Sequence, residues 1–393
     1  MSDIWKEYKF GDLVYFPPKI SPPKNKVIPF IDMELINPSY RYVTNEISKK
    51  FSGSASKFEN NDVLFARITP SLENRKIAQA KINGIGFGST EFFVLRAKKS
   101  LCDQNYLYYL AKTDYIVENA INSFVGASGR QRADDKFIKR LKVKIPPLPT
   151  QRKIAAILSA YDDLIENNNK RISILENTAE QIYKEWFLRF RFPGYKKTKF
   201  IKGIPEGWEV KKVKDVVNRK TFGKIYRESD LESEGSVIVI DQSVKEYFGF
   251  YEGKPEHLAS EDDPYILFGD HSCKMLIMTE PFSLSENVIP IKAKDNIPLY
   301  FLFYLIKSLV TTTEYKRHWT ELSTKEVFIP SEYLRIEFNE IVKPLLIQIN
   351  SYKKIIRNLS KTRDFLLPRF LSGKLSVENL DIKFPPSMEE IDA

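Results

Sequence analysis

At 393 residues, 42% of them hydrophobic, the chain is long enough for two or three cores and has the composition of an ordinary globular protein, not of a disordered or fibrous one. A net charge of +10 and a pI near 9.2 point toward a polyanionic partner, and the two cysteines, Cys102 and Cys273, exclude a disulfide framework and fit a reducing cytoplasm. The opening MSDIWKEYKF lacks the apolar core of a signal peptide, and the most apolar run, Pro298–Val310, is too short to span a bilayer and carries Lys307, so no membrane association is expected.

In chain order, alternating and aromatic-rich segments predict short strands at Asp62–Arg67 and Glu91–Leu95, then a helix at Gln104–Lys112. Turn residues separate them, among them Pro17-Pro18, Pro22-Pro23 and Asn83-Gly84. Pro146-Pro147-Leu148-Pro149 marks the entry to a long helix over Thr150–Phe187, with Thr150 as its expected N-cap. Along it Ile154, Leu158, Tyr161, Ile165, Ile172, Leu175, Ala179, Ile182 and Trp186 step by three and four, with Asn168 the one polar member. That spacing is a coiled-coil seam, and about 38 residues at 1.5 Å each give roughly 57 Å of helix. Asn168 either fixes the register or marks a local opening. The polar run Glu166–Arg171 on the outer faces favours a helix exposed to solvent or to a partner over one buried in a single large core.

Phe192-Pro193-Gly194 ends this segment, and the basic linker Tyr195–Gly207 follows. Further strands are predicted at Val237–Ile240, Tyr265–Phe268 and Val288–Ile291, with Asp262-Asp263-Pro264 as a turn and a helix at Ile297–Leu309. A second long helix over Leu334–Leu371 carries Phe338, Val342, Leu345, Ile349, Tyr352, Ile356, Leu359, Arg363, Leu366 and Phe370 in the same phase. Pro344 predicts a kink or a late start, and Pro368 predicts termination, because each lacks a backbone donor.

The halves are related by ordered, gap-free offsets. Trp5, Lys9, Asp12 and Val14 map onto Trp208, Lys212, Asp215 and Val217, 203 residues on, and Val63-Leu64-Phe65 maps onto Ile266-Leu267-Phe268 at the same offset. Phe87, Glu91, Val94 and Tyr109 map onto Phe282, Glu286, Ile289 and Tyr304 at 195, and Ile145-Pro146 maps onto Ile329-Pro330 at 184, with the seams following. An offset that only shrinks along the chain is the mark of a duplicated unit that has lost loop residues between fixed elements. The two helices have matched seams and the length to pair with each other.

Catalytic motifs are weak. Asn37-Pro38-Ser39-Tyr40 approximates an amino-methyltransferase tetrapeptide but has Ser39 in place of the second proline. Gly84-Ile85-Gly86-Phe87-Gly88 approximates a nucleotide loop but leads into a strand-like segment. His257, His271 and His318 are widely spaced, which argues against a metal site. No nucleophile stands beside a base, so no catalytic residue is assigned. Basic and amide side chains cluster instead in loops that flank the strands. In the first half these are Arg67, Thr69, Asn74, Arg75 and Lys76, with Ser128, Arg130, Gln131 and Arg132. In the second half they are Asp270, His271, Ser272 and Lys274, with Lys316, Arg317 and His318. Arg and Lys suit guanine and phosphate, and Asn and Gln suit adenine, so these loops are the candidate DNA contacts.

The junction VKIPPLPTQRKIAAILSAYDDLIENNNKRISILENTAEQIYKEWFLRFRFPGY resembles the DNA-specificity subunit of type I restriction–modification systems. So do VIPFIDMELI, NNDVLFARITPSLENRKIAQA, FGSTEFFVLRAK, GIPEGWEVKKVKDV and the ending RDFLLPRFLSGKL, in the family's order. The resemblance implies an α+β chain with a pseudo-twofold internal repeat, in which two mixed α/β target-recognition domains are joined by two long antiparallel coiled-coil helices. The expected boundaries are 1–145 for the first recognition domain, 146–192 for the first spacer helix, 193–329 for the linker and second domain, 330–375 for the second spacer helix, and 376–393 for the tail. It further implies a non-catalytic reader of a bipartite, asymmetric double-stranded DNA target. Two methyltransferase subunits binding S-adenosylmethionine would dock on it, joined by restriction subunits that use ATP and Mg. A self-sufficient DNA adenine methyltransferase and a coiled-coil DNA-binding regulator are the alternatives. As a physical hypothesis, the helix pair is a ruler that sets the unread spacer between half-sites about one duplex turn apart.

Overall fold

The computed structural model describes residues 5–23, 25–45, 47–51, 53–126, 129–243, 247–312 and 316–389. They fall into two compact units, Met1–Asn169 with Lys354–Ala393, and Lys170–Lys353. Both long helices, Leu148–Tyr183 and Glu332–Leu371, therefore contribute to each unit.

The first unit is built on a five-stranded sheet in the order Val14–Tyr15, Phe92–Ala97, Val63–Ala66, Ile77–Ala80, Tyr42–Val43. Its middle strand, Val63–Ala66, reads as an unbroken apolar run because both faces are covered. Val63 and Phe65, with Phe93 and Leu95, point into a core shared with the helix Gln104–Ala111 and with Ile154 and Leu158 of the first long helix. The alternate residues Leu64, Phe92 and Val94 face a second core with Ile31 and Phe58. A four-stranded sheet in the order Ile47–Lys50, Val27–Ile31, Ile85–Gly88, Ser56–Glu59 adjoins it. Lys6–Lys9 pairs antiparallel with Lys142–Ile145, which leads directly into the first long helix.

The second unit repeats this order. Glu209–Lys212 pairs antiparallel with Glu326–Ile329. A four-stranded sheet runs Val217–Arg219, Val288–Ala293, Tyr265–Gly269, Met275–Met278, and a three-stranded one runs Gly249–Tyr251, Val237–Ile240, Phe282–Leu284. The helix Leu299–Ile306 is buried almost all round. The structural elements obey the sequence offsets. Lys6–Lys9 and Glu209–Lys212 stand 203 residues apart, Gln104–Ala111 and Leu299–Ile306 stand 195 apart, and Lys142–Ile145 and Glu326–Ile329 stand 184 apart.

Within each unit the long helices pack antiparallel. In the first, Ile154–Leu158 share a core with Leu366–Leu371, and Arg363 Nη1 donates to Asp162 Oδ1 at 2.5 Å. In the second, Arg171 Nη1 reaches the Tyr352 hydroxyl at 3.4 Å, while Tyr183, Trp186 and Phe187 surround Phe338. Every seam position named above, Asn168 included, is buried or half-buried. Two expectations about the helix ends need correction. The first helix begins at Leu148, so Thr150 lies inside it and is not its cap. Pro149 is accommodated because first-turn residues need no intrahelical donor, and Gln151 N closes the opening turn on Pro147 O at 3.0 Å. The second helix runs from Glu332 to Leu371, so Pro344 does not delay its start, while the helix does end within a turn of Pro368, as expected. Both prolines are exposed, where water can satisfy the carbonyls they leave without a donor, and burial of the seam holds the helix across them.

The first unit also buries a polar network where its sheet, its helix and both long helices meet. Arg41, 3% exposed, donates to Gln79 Oε1 (2.7 Å), to Ser159 Oγ (2.5 Å) and to Asn105 Oδ1, and lies over the rings of Tyr42, Tyr108 and Tyr109. The Tyr109 hydroxyl donates to Asp162 Oδ2 at 2.5 Å, so Asp162 links the helix Gln104–Ala111 to Arg363. Burial alone would lower the Arg363 pKa, but Asp162 and Asp364 hold it above its ordinary value.

Candidate nucleic-acid interface

In the first unit the fold brings both predicted loop stretches together. Thr69 N donates to Gln131 O at 3.0 Å, Gln131 N to Thr69 Oγ1 at 3.2 Å, and Ala133 N to Arg67 O at 2.8 Å. The intervening segment folds into a compact turn, with Asn74 N on Pro70 O at 2.9 Å and Lys76 N on Ser71 O at 3.0 Å. Most of its cations are held inside the unit. Arg132 clasps Glu91 with Nε and Nη2 at 2.9 and 2.7 Å, and Arg67 approaches the same carboxylate at 3.6 Å. Arg75 pairs with Asp114 at 2.6 Å, and Lys76 Nζ donates to Met33 O at 2.9 Å. Asn74 and Arg130 are exposed, Gln131 is half-buried, and their side chains have no bonding partner among the described residues. Ser128 lies outside the described residues.

The second unit makes the equivalent joint with different chemistry. His318 N donates to Asp270 O, and Trp319 N to Asp270 Oδ1, each at 2.8 Å, so Asp270 caps the short helix Trp319–Thr324. His271 N is held by Gln242 Oε1 at 3.0 Å, and Ser272 Oγ accepts from Lys274 N at 3.2 Å. Lys316 stands 3.7 Å from Glu321. Arg317 is the outward cation, its side chain 75% exposed and 3.9 Å from Asp270. The sequence reading assigned Asp270 and His318 to DNA contact. In the fold Asp270 is buried by its capping role, and His318 is fully buried with Nδ1 3.6 Å from Glu321, so both side chains belong to the framework beneath the loop.

The sequence reading missed the sheet edge Ile47–Lys50, whose four residues are all exposed. Lys49 Nζ sits 3.7 Å from the Phe30 ring centroid, and Lys57 Nζ lies 5.6 Å from that of Phe51. With Lys26 and Lys50 this makes a basic, aromatic-lined surface, chemistry that suits phosphates and bases together. The Ile-Ser-Lys-Lys stretch carries two adjacent cations but no buried face, so its pattern alone does not mark it as a strand.

Both catalytic lookalikes have structural explanations. Asn37 Oδ1 accepts from Ser39 N at 2.9 Å, an Asx turn, and Pro38 O accepts from Lys112 Nζ at 3.1 Å. Gly86 and Gly88 lie within a strand, where a Cβ on Gly88 would come within 2.2 Å of the Ile31 carbonyl oxygen. They serve close strand approach in the pairing of Val27–Ile31 with Ile85–Gly88. Among the described residues no group of three His, Cys, Asp or Glu is placed to hold a metal ion, and no helix is long and apolar enough to cross a membrane.

Residues 3–177 match the type I restriction modification DNA specificity domain. The type I restriction enzyme MjaIX specificity subunit of Methanocaldococcus jannaschii is 29% identical over 306 residues, covering 70% of each chain. A putative MjaX specificity subunit from the same organism is 27% identical over 357 residues, 81% of this chain and 79% of its own. The crystal structure of the type I restriction–modification S subunit from M. genitalium superposes with a TM-score of 0.54 at 16% identity, over 94% of this chain and 97% of that one, a likeness of fold. Residues 3–177 thus resemble the type I restriction–modification DNA-specificity domain, and the second half of the chain carries the same order of elements.

Proposed function

We propose that this chain is the DNA-specificity subunit of a type I restriction–modification complex, each of its two readers taking one half of a bipartite, asymmetric target. The observation that carries the reading is the duplicated joint. In both units the same strand end meets the segment that precedes a short helix, yet Arg67, Arg130 and Gln131 stand at one joint and Asp270, Lys316 and Arg317 at the other. One scaffold with unlike loop chemistry suits two different half-sites. Exposed Arg130, Asn74 and Arg317 are available for base edges or phosphates, and the basic edge with Lys49 and Lys50 for phosphates. The chain reads and does not catalyse. Methyl transfer belongs to two modification subunits that bind S-adenosylmethionine, and ATP with Mg is used by restriction subunits, all in the cytoplasm.

The test is expression with the cognate modification subunit in a methylation-free host, followed by mapping of methylated adenine. A single two-part asymmetric motif is expected, and Arg130→Ala with Gln131→Ala should relax one half-site and leave the other intact. Adenine methylation by the purified chain alone, or a motif without two parts, would overturn the reading.

A further inference from the structure

The two long helices are repeats, yet where Asp162 meets Arg363 their packing is chemically asymmetric. Asp162 and Arg363 form a buried ion pair in the first unit, the carboxylate 4% and the arginine 7% exposed. The residues at the repeat-equivalent positions, 184 further on from Asp162 and 184 back from Arg363, are Leu346 and Ala179. Both are buried, 7% and 0% exposed, in the second unit.

We propose that the Asp162–Arg363 pair is a selectivity device, which makes pairing of the first half of the chain with its own second half the only arrangement that satisfies both charges. Duplicated helices with a common seam phase carry a built-in ambiguity, because the first helix can pair with a second copy of itself. In that arrangement Ala179 arrives where Arg363 belongs. Asp162 keeps the Tyr109 hydroxyl but loses its cation. When two second halves pair, Leu346 arrives where Asp162 belongs, and Arg363 is left with Asp364, whose side chain is 63% exposed. A buried charge stripped of its partner disfavours such a complex more than apolar contact can restore. The apolar layer of the second unit accepts any pairing, so discrimination rests on the ionic layer. A polar layer in a largely apolar seam is a known physical means by which helices select partners. The pairing rule goes beyond the DNA-reading proposal and does not depend on it, since it concerns the helices alone.

The experiment nicks the folded, full-length chain at a protease site engineered into the exposed Lys202-Gly203 turn of the linker. Isotope-labelled and unlabelled nicked samples, each also carrying a mass tag on one fragment, are mixed and their pairings counted by native mass spectrometry. The wild-type fragments should stay paired one N-terminal with one C-terminal, at an excess of roughly 30-fold or more over like-with-like pairs. Two variants make the layers equivalent by opposite routes. Asp162→Leu with Arg363→Ala makes both apolar, and Ala179→Arg with Leu346→Asp makes both ionic. Each folded variant, identified by cooperative unfolding, should lose the excess and drift toward random pairing. Scrambling of the wild-type fragments, or a folded variant that remains wholly heterotypic, would overturn the proposal.

Discussion

Gln151, 1% exposed, uses its whole side chain to join the first long helix to the reader. Nε2 donates to Leu101 O at 3.0 Å and Pro146 O at 2.8 Å, and Oε1 accepts from Asp103 N at 2.9 Å. Gln151→Leu keeps the volume and strands those groups, so chemical denaturation should show a loss of roughly 1–3 kcal/mol. Lys112 gives a pH signature. Burial first, and then the nearby Arg363 charge, push its ammonium down to about 8, against a partial opposing pull from Asp162. Below pH 8 the lysine is charged in both the folded and the unfolded chain. Between pH 8 and its ordinary value of 10.5 the unfolded chain binds more protons, so stability should rise with pH across that window. Lys112→Met should flatten this rise in unfolding midpoints measured from pH 7 to 10.5. At this scale the sequence showed which residues carry charge. It did not show that Arg132 is held by Glu91 or that His318 is buried, because those facts depend on segments far apart in the chain.

The long helices were legible because a three/four seam is a local periodicity that survives any tertiary arrangement. Their ends were not, since Thr150 and Pro344 were judged by intrinsic preference while seam burial decided the outcome. Pro344 lacks the N–H that would bond the Glu340 carbonyl one turn back, so Pro344→Ala should stabilise the protein by roughly 1–3 kcal/mol, read from thermal and denaturant melts. A decrease would mean that a bend at Pro344 is needed for seam packing. The strands Val63–Ala66 and Tyr265–Gly269 were legible as apolar runs, and the exposed edge Ile47–Lys50 was not, because its side chains announce no buried face.

Across the whole molecule, the chain passes between the units inside both helices, at Asn169–Lys170 and Lys353–Lys354. Inserting one heptad at each of these points keeps the seam phase and adds about 10 Å of helix. If the helices set the span between readers, methylation mapping should show the unread spacer longer by about three base pairs with both half-sites unchanged. Altered half-sites with a constant spacer would refute the ruler. By itself the sequence determined the duplication and the seams, because repeat offsets and heptad phase are properties of one-dimensional order. Only the tertiary structure decided which loop cations face outward, where the basic sheet edge lies and that Asp162 meets Arg363. Pairing and burial join residues hundreds of positions apart, and no local pattern along the chain encodes that proximity.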